Sequence, residues 1–288
     1  MEYNARIATK DDKKDIAKLC RRAMGEKDYV IGILNKTIDA GGLFLAFDRT
    51  WLIGVANFQK LSDGSAWLSM ARTDPDYRGK RVAGFLQKVI ALHARNQSIH
   101  TLRFLVNSSN TPSIRAAARG GFRPVFETAH ISFSLRKKHS SSSSKRKQVR
   151  QLQLSDSEAA SIVSSSSYLS QLNGYLSYGW HFEKATLQTI RNTSQKGKIF
   201  ASDGLKTVFL LGCAEIWDPL RGHGGFFILN GALGKTLEIV KECGSLVGFD
   251  SIGTFLPYNR YFIRTALKEN SFKLDPWADH GIVFERKI

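Results

Sequence analysis

The run "DPDYRGKRVAGFLQKVI", residues 74–90, sets Arg78, Gly79, Lys80 and Arg81 directly before an apolar pattern with helical spacing. The first turn of a helix leaves backbone N–H groups without intrahelical partners and carries the positive end of the helix dipole, so such a junction is a seat for phosphate. Gly79 permits a tight turn, small Ala83 and Gly84 let a ligand approach, and the three cations add full charges. A pyrophosphate is the ligand that this chemistry matches best. Basic loops before helices are common, so the loop alone is a weak signal.

Other reactive side chains are sparse. Glu127 and His130 lie in late strand-like segments and are candidates for acid–base work through water, although a structural role is the favoured reading of each. His93 closes an apolar stripe and reads as packed, and His223 in "DPLRGHGGF" reads as a hairpin tip. Cys20, Cys213 and Cys243 are too few and too widely spaced for a disulfide framework or a zinc cluster. No metal site is expected.

These residues need elements to position them. In the first half, "ARIAT" reads as a strand, residues 11–24 as a helix with Ile16, Leu19 and Cys20 on one face, and Tyr29 to Ala40 as a second helix. "GLFLAFD", "WLIGVANFQKL" and "SAWLSMART" read as three strands. Val82, Phe85, Leu86, Val89, Ile90 and His93 then recur at helical offsets, one face of a long helix. "TLRFLVN" is a further strand, residues 111–119 a short helix, and "FRPVFE" with "HISFSLR" a final pair of strands.

At 288 residues with 42% hydrophobic and 23% charged residues, the chain suits two globular domains. The formal charge of +17 is unevenly held. Residues 1–136 have 22 Lys and Arg against 12 acids, residues 137–150 have 6 against none, and residues 151–288 have 14 against 13. The basic, Ser-rich stretch 137–150 cannot build a core and reads as a linker between domains 1–136 and 151–288. An anionic ligand or partner is expected in the first half. Nucleic acid is the less favoured partner, through the basic first domain and the linker, because no RNA-binding aromatic motif or zinc pattern appears. No apolar run reaches the roughly 20 residues of a membrane span, and the N-terminus lacks a secretory pattern, so a cytoplasmic protein is expected.

The loop resembles the pyrophosphate-binding loop of the GNAT acetyltransferase superfamily, with Arg78 and Ala83 matching its pattern and Arg81 in place of its central Gly. "NTPSIRAAARGGF" resembles the second signature of that family, through Asn110, Gly121 and Phe122. The resemblance covers about residues 3–136 and implies an N-acetyltransferase with acetyl-CoA as co-substrate. It implies that main-chain groups of Ala71, Arg72 and Thr73 on a bulged fourth strand bind the pantetheine. The amides of Gly79, Lys80, Arg81, Val82, Ala83 and Gly84 would cap the pyrophosphate, and Asn110 would fix the pantetheine arm. The pattern departs in two places: Ala117 stands where a Tyr acid is usual, and the fourth strand has no carboxylate. The catalytic residues are therefore unassigned.

The second half reads as a faded copy. "GKIFASDGLKTVFLLGCAEI" mirrors "GGLFLAFDRTWLIGVANF", and "NRYFIRTA" shares Asn, Ile, Arg and Ala with "NTPSIRAA". The interval from Gly42 to Asn110 is 68 residues and that from Gly197 to Asn259 is 62, so six are missing, and the basic loop is what is absent. The aromatic run "GYLSYGWHFEK" reads first as core and second as a border of the acceptor cleft. The expected architecture is α/β: two tandem GNAT-like domains, each a mixed, mostly antiparallel sheet flanked by helices. The expected activity is acetyl transfer to a primary amine, on a small molecule or a protein. The alternative is a catalytically silent CoA-binding or interaction module.

Overall fold

The computed structural model describes residues 2–135, 149–177, 179–195, 198–202, 206–212 and 222–288. Most of the linker, Cys213 and Tyr178 lie outside them, as do Gly197 and Asp203 of the repeat. The chain forms two compact units. The first comprises Met1–Leu105, Asn110–Pro124 and Phe284–Ile288; the second comprises Val106–Ser109 and Val125–Val283.

In the first unit the chain runs through β1 (Asn4–Ile7), α1 (Lys13–Met24), α2 (Tyr29–Asp39), β2 (Leu43–Asp48), β3 (Trp51–Lys60), β4 (Ala66–Thr73), α3 (Val82–Asn96), most of β5 (Thr101–Asn107) and α4 (Thr111–Arg119). Ile16, Leu19 and Cys20 of α1 and Val30, Ile33, Leu34 and Ile38 of α2 are buried, so the apolar stripes are the packed faces. The helix starts are chemically marked. Thr9 and Asp12 form a reciprocal capping box before α1, and the Asp28 carboxylate accepts from Val30 N at the start of α2. Strands β1 to β4 pair antiparallel in chain order, and β4 pairs parallel with β5.

The second unit contains most of β6 (Arg123–Ser134), then β7 (Val149–Gln151), α5 (Asp156–Ser165), α6 (Ser167–Gln171), β8 (Tyr175–Leu176), β9 (Glu183–Lys184) and α7 (Leu187–Gln195). It continues through β10 (Ile199–Ser202), β11 (Thr207–Gly212), β12 (His223–Asn230), α8 (Leu233–Val247), β13 (Ser251–Pro257), α9 (Arg260–Arg264), β14 (Lys273–Leu274) and the start of β15 (Gly281–Lys287). Strands β7, β10, β11 and β12 are antiparallel neighbours, and β12 pairs parallel with β13. This is the order of the first unit again. Asn110 and Asn259 both cap a short helix through the side-chain oxygen, accepting from Ser113 N and Phe262 N. Eight residues join β4 to α3, whereas only Gly231 and Ala232 join β12 to α8, which accounts for the six missing residues.

Two expectations need correction. "FRPVFE" and "HISFSLR" are not two strands but the single 12-residue strand β6. "ETA" at its middle has no turn former, and from Thr128 onward β6 pairs with β13 in the second unit. The first compact unit also includes Phe284–Ile288. There Ile288 N donates to His100 O at 3.0 Å, and Glu285 accepts from the buried Arg103 Nε at 2.8 Å. Lastly, His223 is the first residue of β12, with its Nδ1 2.8 Å from Ser251 Oγ, rather than a hairpin tip.

Candidate functional site

The β4–β5 ladder is short. It holds only Ala66↔Leu102 and Trp67↔Arg103, although β4 continues to Thr73 and β5 to Asn107. Beyond Trp67 the two strands part, and the side of β4 that faces away from β3 has no strand partner among the described residues. The β3–β4 register also slips between Val55 and Asn57, and Met70, opposite that slip, takes a positive φ of 57°. This is a β-bulge, which bends β4 and re-aims its backbone. Ala71, Arg72 and Thr73 follow it directly. The parted edge can hydrogen-bond an extended amide chain as a further strand would.

Side chains around the bulge are fixed rather than free. Arg72 forms a two-pronged ion pair with Asp28, both contacts at 2.8 Å, and lies over the Tyr29 ring. The guanidinium thus locks the start of α2 against β4, leaving only the main chain of Arg72 for a ligand. Burial pushes the nearby Cys20 thiol up to about 12, and the Asp28 carboxylate adds to the shift. Cys20 is therefore a packed thiol and no nucleophile.

Beyond β4, the Asp74 carboxylate accepts from Asp76 N at 3.0 Å and pairs with Arg22 at 3.1 Å, which shapes the turn into the basic loop. Gly79 has φ +79°, and Arg81, the last residue before α3, has φ +64° with no side-chain cap on the helix. Phe85 N is the first to donate along the helix, to Arg81 O at 3.0 Å. The amides of Val82, Ala83 and Gly84 accordingly form the open N-terminus of α3. A Cβ placed on Gly84 would meet nothing within 4 Å, so the space beside Gly84 is open. Two of the cations have internal partners. Arg78 Nη2 donates to Ala23 O at 2.9 Å, and Lys80 Nζ lies 4.7 Å from the Tyr77 ring centroid. The amides, rather than a ring of unpaired cations, are the main feature of the seat. Asn110 is exposed, and its oxygen is engaged by Ser113 N at 3.2 Å.

Comparison with known proteins decides what this geometry belongs to. Residues 15–122 match the model of the acetyltransferase (GNAT) family. This segment is a GNAT-family acetyltransferase domain. In fold, the chain is similar over 99% of its length to a GCN5-related N-acetyltransferase from Sphaerobacter thermophilus, with a TM-score of 0.63, 12% identity and 95% of that chain covered. It is also similar to a Pyrococcus horikoshii protein assigned as an acetyltransferase, with a TM-score of 0.59, 12% identity, 99% of this chain and 89% of that one. The sequence gives no match among curated proteins.

Placed in the GNAT domain, Ala117 is fully buried and Ala117 O accepts from Phe122 N at 3.0 Å, so this position serves packing. His93 also packs, edge-on to Phe44 and Phe58. His130, in the second unit, is buried with its ring against Trp180 and Phe255 and its Nδ1 3.5 Å from Asp275, which makes it a core residue. Tyr175 and Phe182 of the aromatic run are likewise core, around Phe126. Glu127 instead reaches His280, with Oε2 2.8 Å from Nε2. Sequence reading missed His280 because the two residues lie 153 positions apart, with no local signal joining them.

Proposed function

We propose that the protein is an acetyl-CoA-dependent N-acetyltransferase that moves an acetyl group to a primary amine. The observation that carries this reading is the parting of β4 from β5 beside the bulge at Met70, in the same unit as the open N-terminus of α3. An amide-rich pantetheine fits the parted strand edge, and a pyrophosphate fits the helix N-terminus. The main-chain partners are Ala71, Arg72 and Thr73, the phosphate donors lie in residues 79–84, and Asn110 borders the arm. Acyl transfer then needs the thioester carbonyl polarised by fixed donors and the attacking amine deprotonated. The second unit, whose β12–α8 junction has no such loop, is read as a degenerate GNAT-like domain that binds no CoA.

The test combines calorimetry of CoA on the full chain with thiol release from acetyl-CoA across a panel of amino acids, polyamines and basic peptides. One CoA per chain and amine-dependent release are expected. Gly84→Leu fills the open space while improving helix propensity, so stability should hold and affinity should fall at least about tenfold, the loss of one charge-assisted contact. Unchanged affinity in that variant would refute the seat. One feature favours a second reading, a silent CoA-binding module: buried Ala117 removes the usual acid. Tight CoA binding with no release from any amine would establish that reading instead.

A further inference from the structure

We infer that Ser69 is the proton carrier of the transfer: its hydroxyl takes the proton shed by the amine and hands its own to the departing CoA sulfur, with Asn57 as its positioning residue. The inference rests on the acetyltransferase reading above. Every residue it uses lies in the first unit.

The place of the thioester follows from the two ends of the parted edge. At the open end, Thr73 pairs with Gly54, and a Cβ on Gly54 would lie 2.6 Å from Val82 Cγ1, so the first turn of α3 rests against this end of the sheet. The pyrophosphate seat is therefore beside Thr73. At the closed end, Trp67 pairs with Arg103 of β5, which leaves no room for a further chain between the two strands. An arm that starts at the phosphate seat and follows Thr73, Arg72 and Ala71 as a strand would thus delivers its far end, the thioester, to Leu68, Ser69 and Met70.

From Trp67 to Met70, Ser69 alone is part-exposed; the other three residues are buried. The Met70 sulfur is engaged by Thr37 Oγ1 at 3.8 Å. Leu68 pairs with Phe58, which packs on His93 of α3, so Leu68 faces α3. Ser69, the next residue, faces the opposite side of the sheet with its cross-strand partner Asn57. Asn57 is buried, and its Nδ2 donates to Ser69 Oγ at 3.2 Å. An amide N–H donates and does not accept, so it occupies one lone pair of the hydroxyl and turns the Ser69 proton away from Asn57. That proton and the second lone pair face the parted edge's ligand. A hydroxyl that gives one proton while accepting another needs no carboxylate beside it. Ser69 thus serves where β4 has no acid and position 117 no Tyr.

In the step assigned to Ser69, the neutral amine attacks, its nitrogen bonding to the thioester carbon as the carbonyl π electrons move to oxygen. The carbon–oxygen double bond then re-forms and the carbon–sulfur bond breaks with its electron pair on sulfur. As it does so, a proton passes from nitrogen to Ser69 Oγ and the Ser69 proton passes to sulfur. The products are the amide and the free thiol, and Ser69 ends as the neutral alcohol it began as.

The variants Ser69→Ala and Ser69→Thr test this in the full chain, with acetyl-CoA and an amine that the parent acetylates. Ser69→Ala should lower kcat about a hundredfold while KM for acetyl-CoA stays within about twofold. Ser69→Thr keeps the hydroxyl and should return to within about tenfold of the parent. Asn57→Ala should lower kcat in the parent and leave it unchanged in Ser69→Ala, whereas a purely structural Asn57 would cost the same in both. A Ser69→Ala loss below about tenfold or one carried by KM, a threonine variant no better than alanine, or an acetylated Ser69 peptide in mass spectrometry would overturn the proton carrier. Equal losses from Asn57→Ala in the two backgrounds would overturn its positioning role. Where the parent binds CoA by calorimetry and releases thiol with an amine, these outcomes strike the inference alone. If the parent binds no CoA, or releases no thiol with any amine, the acetyltransferase reading falls and takes the inference with it.

Discussion

Arg81 occupies the position at which the GNAT loop pattern has a glycine, and it adopts the backbone that glycine would choose, φ +64°. A residue with a Cβ in that region is strained by about 1–2 kcal/mol. The side chain is exposed and caps nothing, so the strain belongs to the loop path rather than to a contact. Arg81→Gly is therefore expected to raise unfolding free energy by up to about 1 kcal/mol, once the extra freedom of glycine in the unfolded chain is allowed for. Arg81→Ala should bring no gain. Urea denaturation of the two variants compares them directly, and equal stabilities would show that the left-handed backbone costs nothing here. Any loss of CoA affinity in Arg81→Gly should shrink as salt rises, because what is removed is an exposed charge.

At the scale of elements, two ion pairs fix helices to strands in the first unit. Arg72 on β4 and Asp28 before α2 are both largely buried, and Asp28 also caps the helix. Asp28→Ala strands a buried guanidinium and an uncapped helix, so a loss of about 3–5 kcal/mol is expected by chemical denaturation. Asp28→Asn keeps the cap oxygen and should fall between. The second pair sets a pH dependence. Arg6 holds the Asp12 carboxylate at about 2, helped by Thr9. A depressed folded value means stability that is present above the ordinary carboxylate range and lost as pH falls from about 4 toward 2. Asp12→Asn should remove this slope, worth at most about 2 kcal/mol because Arg6 is half exposed. Thermal melts from pH 5 to pH 2 test it, and parallel curves for parent and variant would exclude the pair as a cause.

For the whole molecule, the consequence lies in which strand serves which unit. The end of β15 completes the first unit, held by Arg103–Glu285 in a buried network with Asp63 and Ser65, while most of β6 serves the second. Cutting the chain in the 137–150 stretch deprives the first unit of its last strand and the second of β6. Residues 1–136 expressed alone should be insoluble or partly unfolded, with co-expression of 149–288 rescuing a soluble pair; circular dichroism and co-purification read this out. A stably folded 1–136 fragment would show that the terminal strand is dispensable.

Much of the candidate site was legible in the sequence, because its parts are local. Apolar residues three and four apart dictate α3, the Asn before each short helix caps it, and the basic loop with its open amides follows from eight consecutive residues. The six residues missing from the second half follow from two intervals along the chain, Gly42 to Asn110 and Gly197 to Asn259. Other decisions were not local. The bulge sits at Met70, a residue type with no preference for positive φ, so the pairing with β3 imposes it rather than the strand itself. β6 carries an apolar pattern that suits several neighbours, and tertiary packing paired it with β13. Arg103 and Glu285 lie 182 positions apart, and Ser108 and His280 lie 172 apart. Sequence patterns report which backbone a segment favours over a few residues. Which strands and side chains meet depends on a competition among distant segments for the same edges and buried charges, and only the folded chain resolves it.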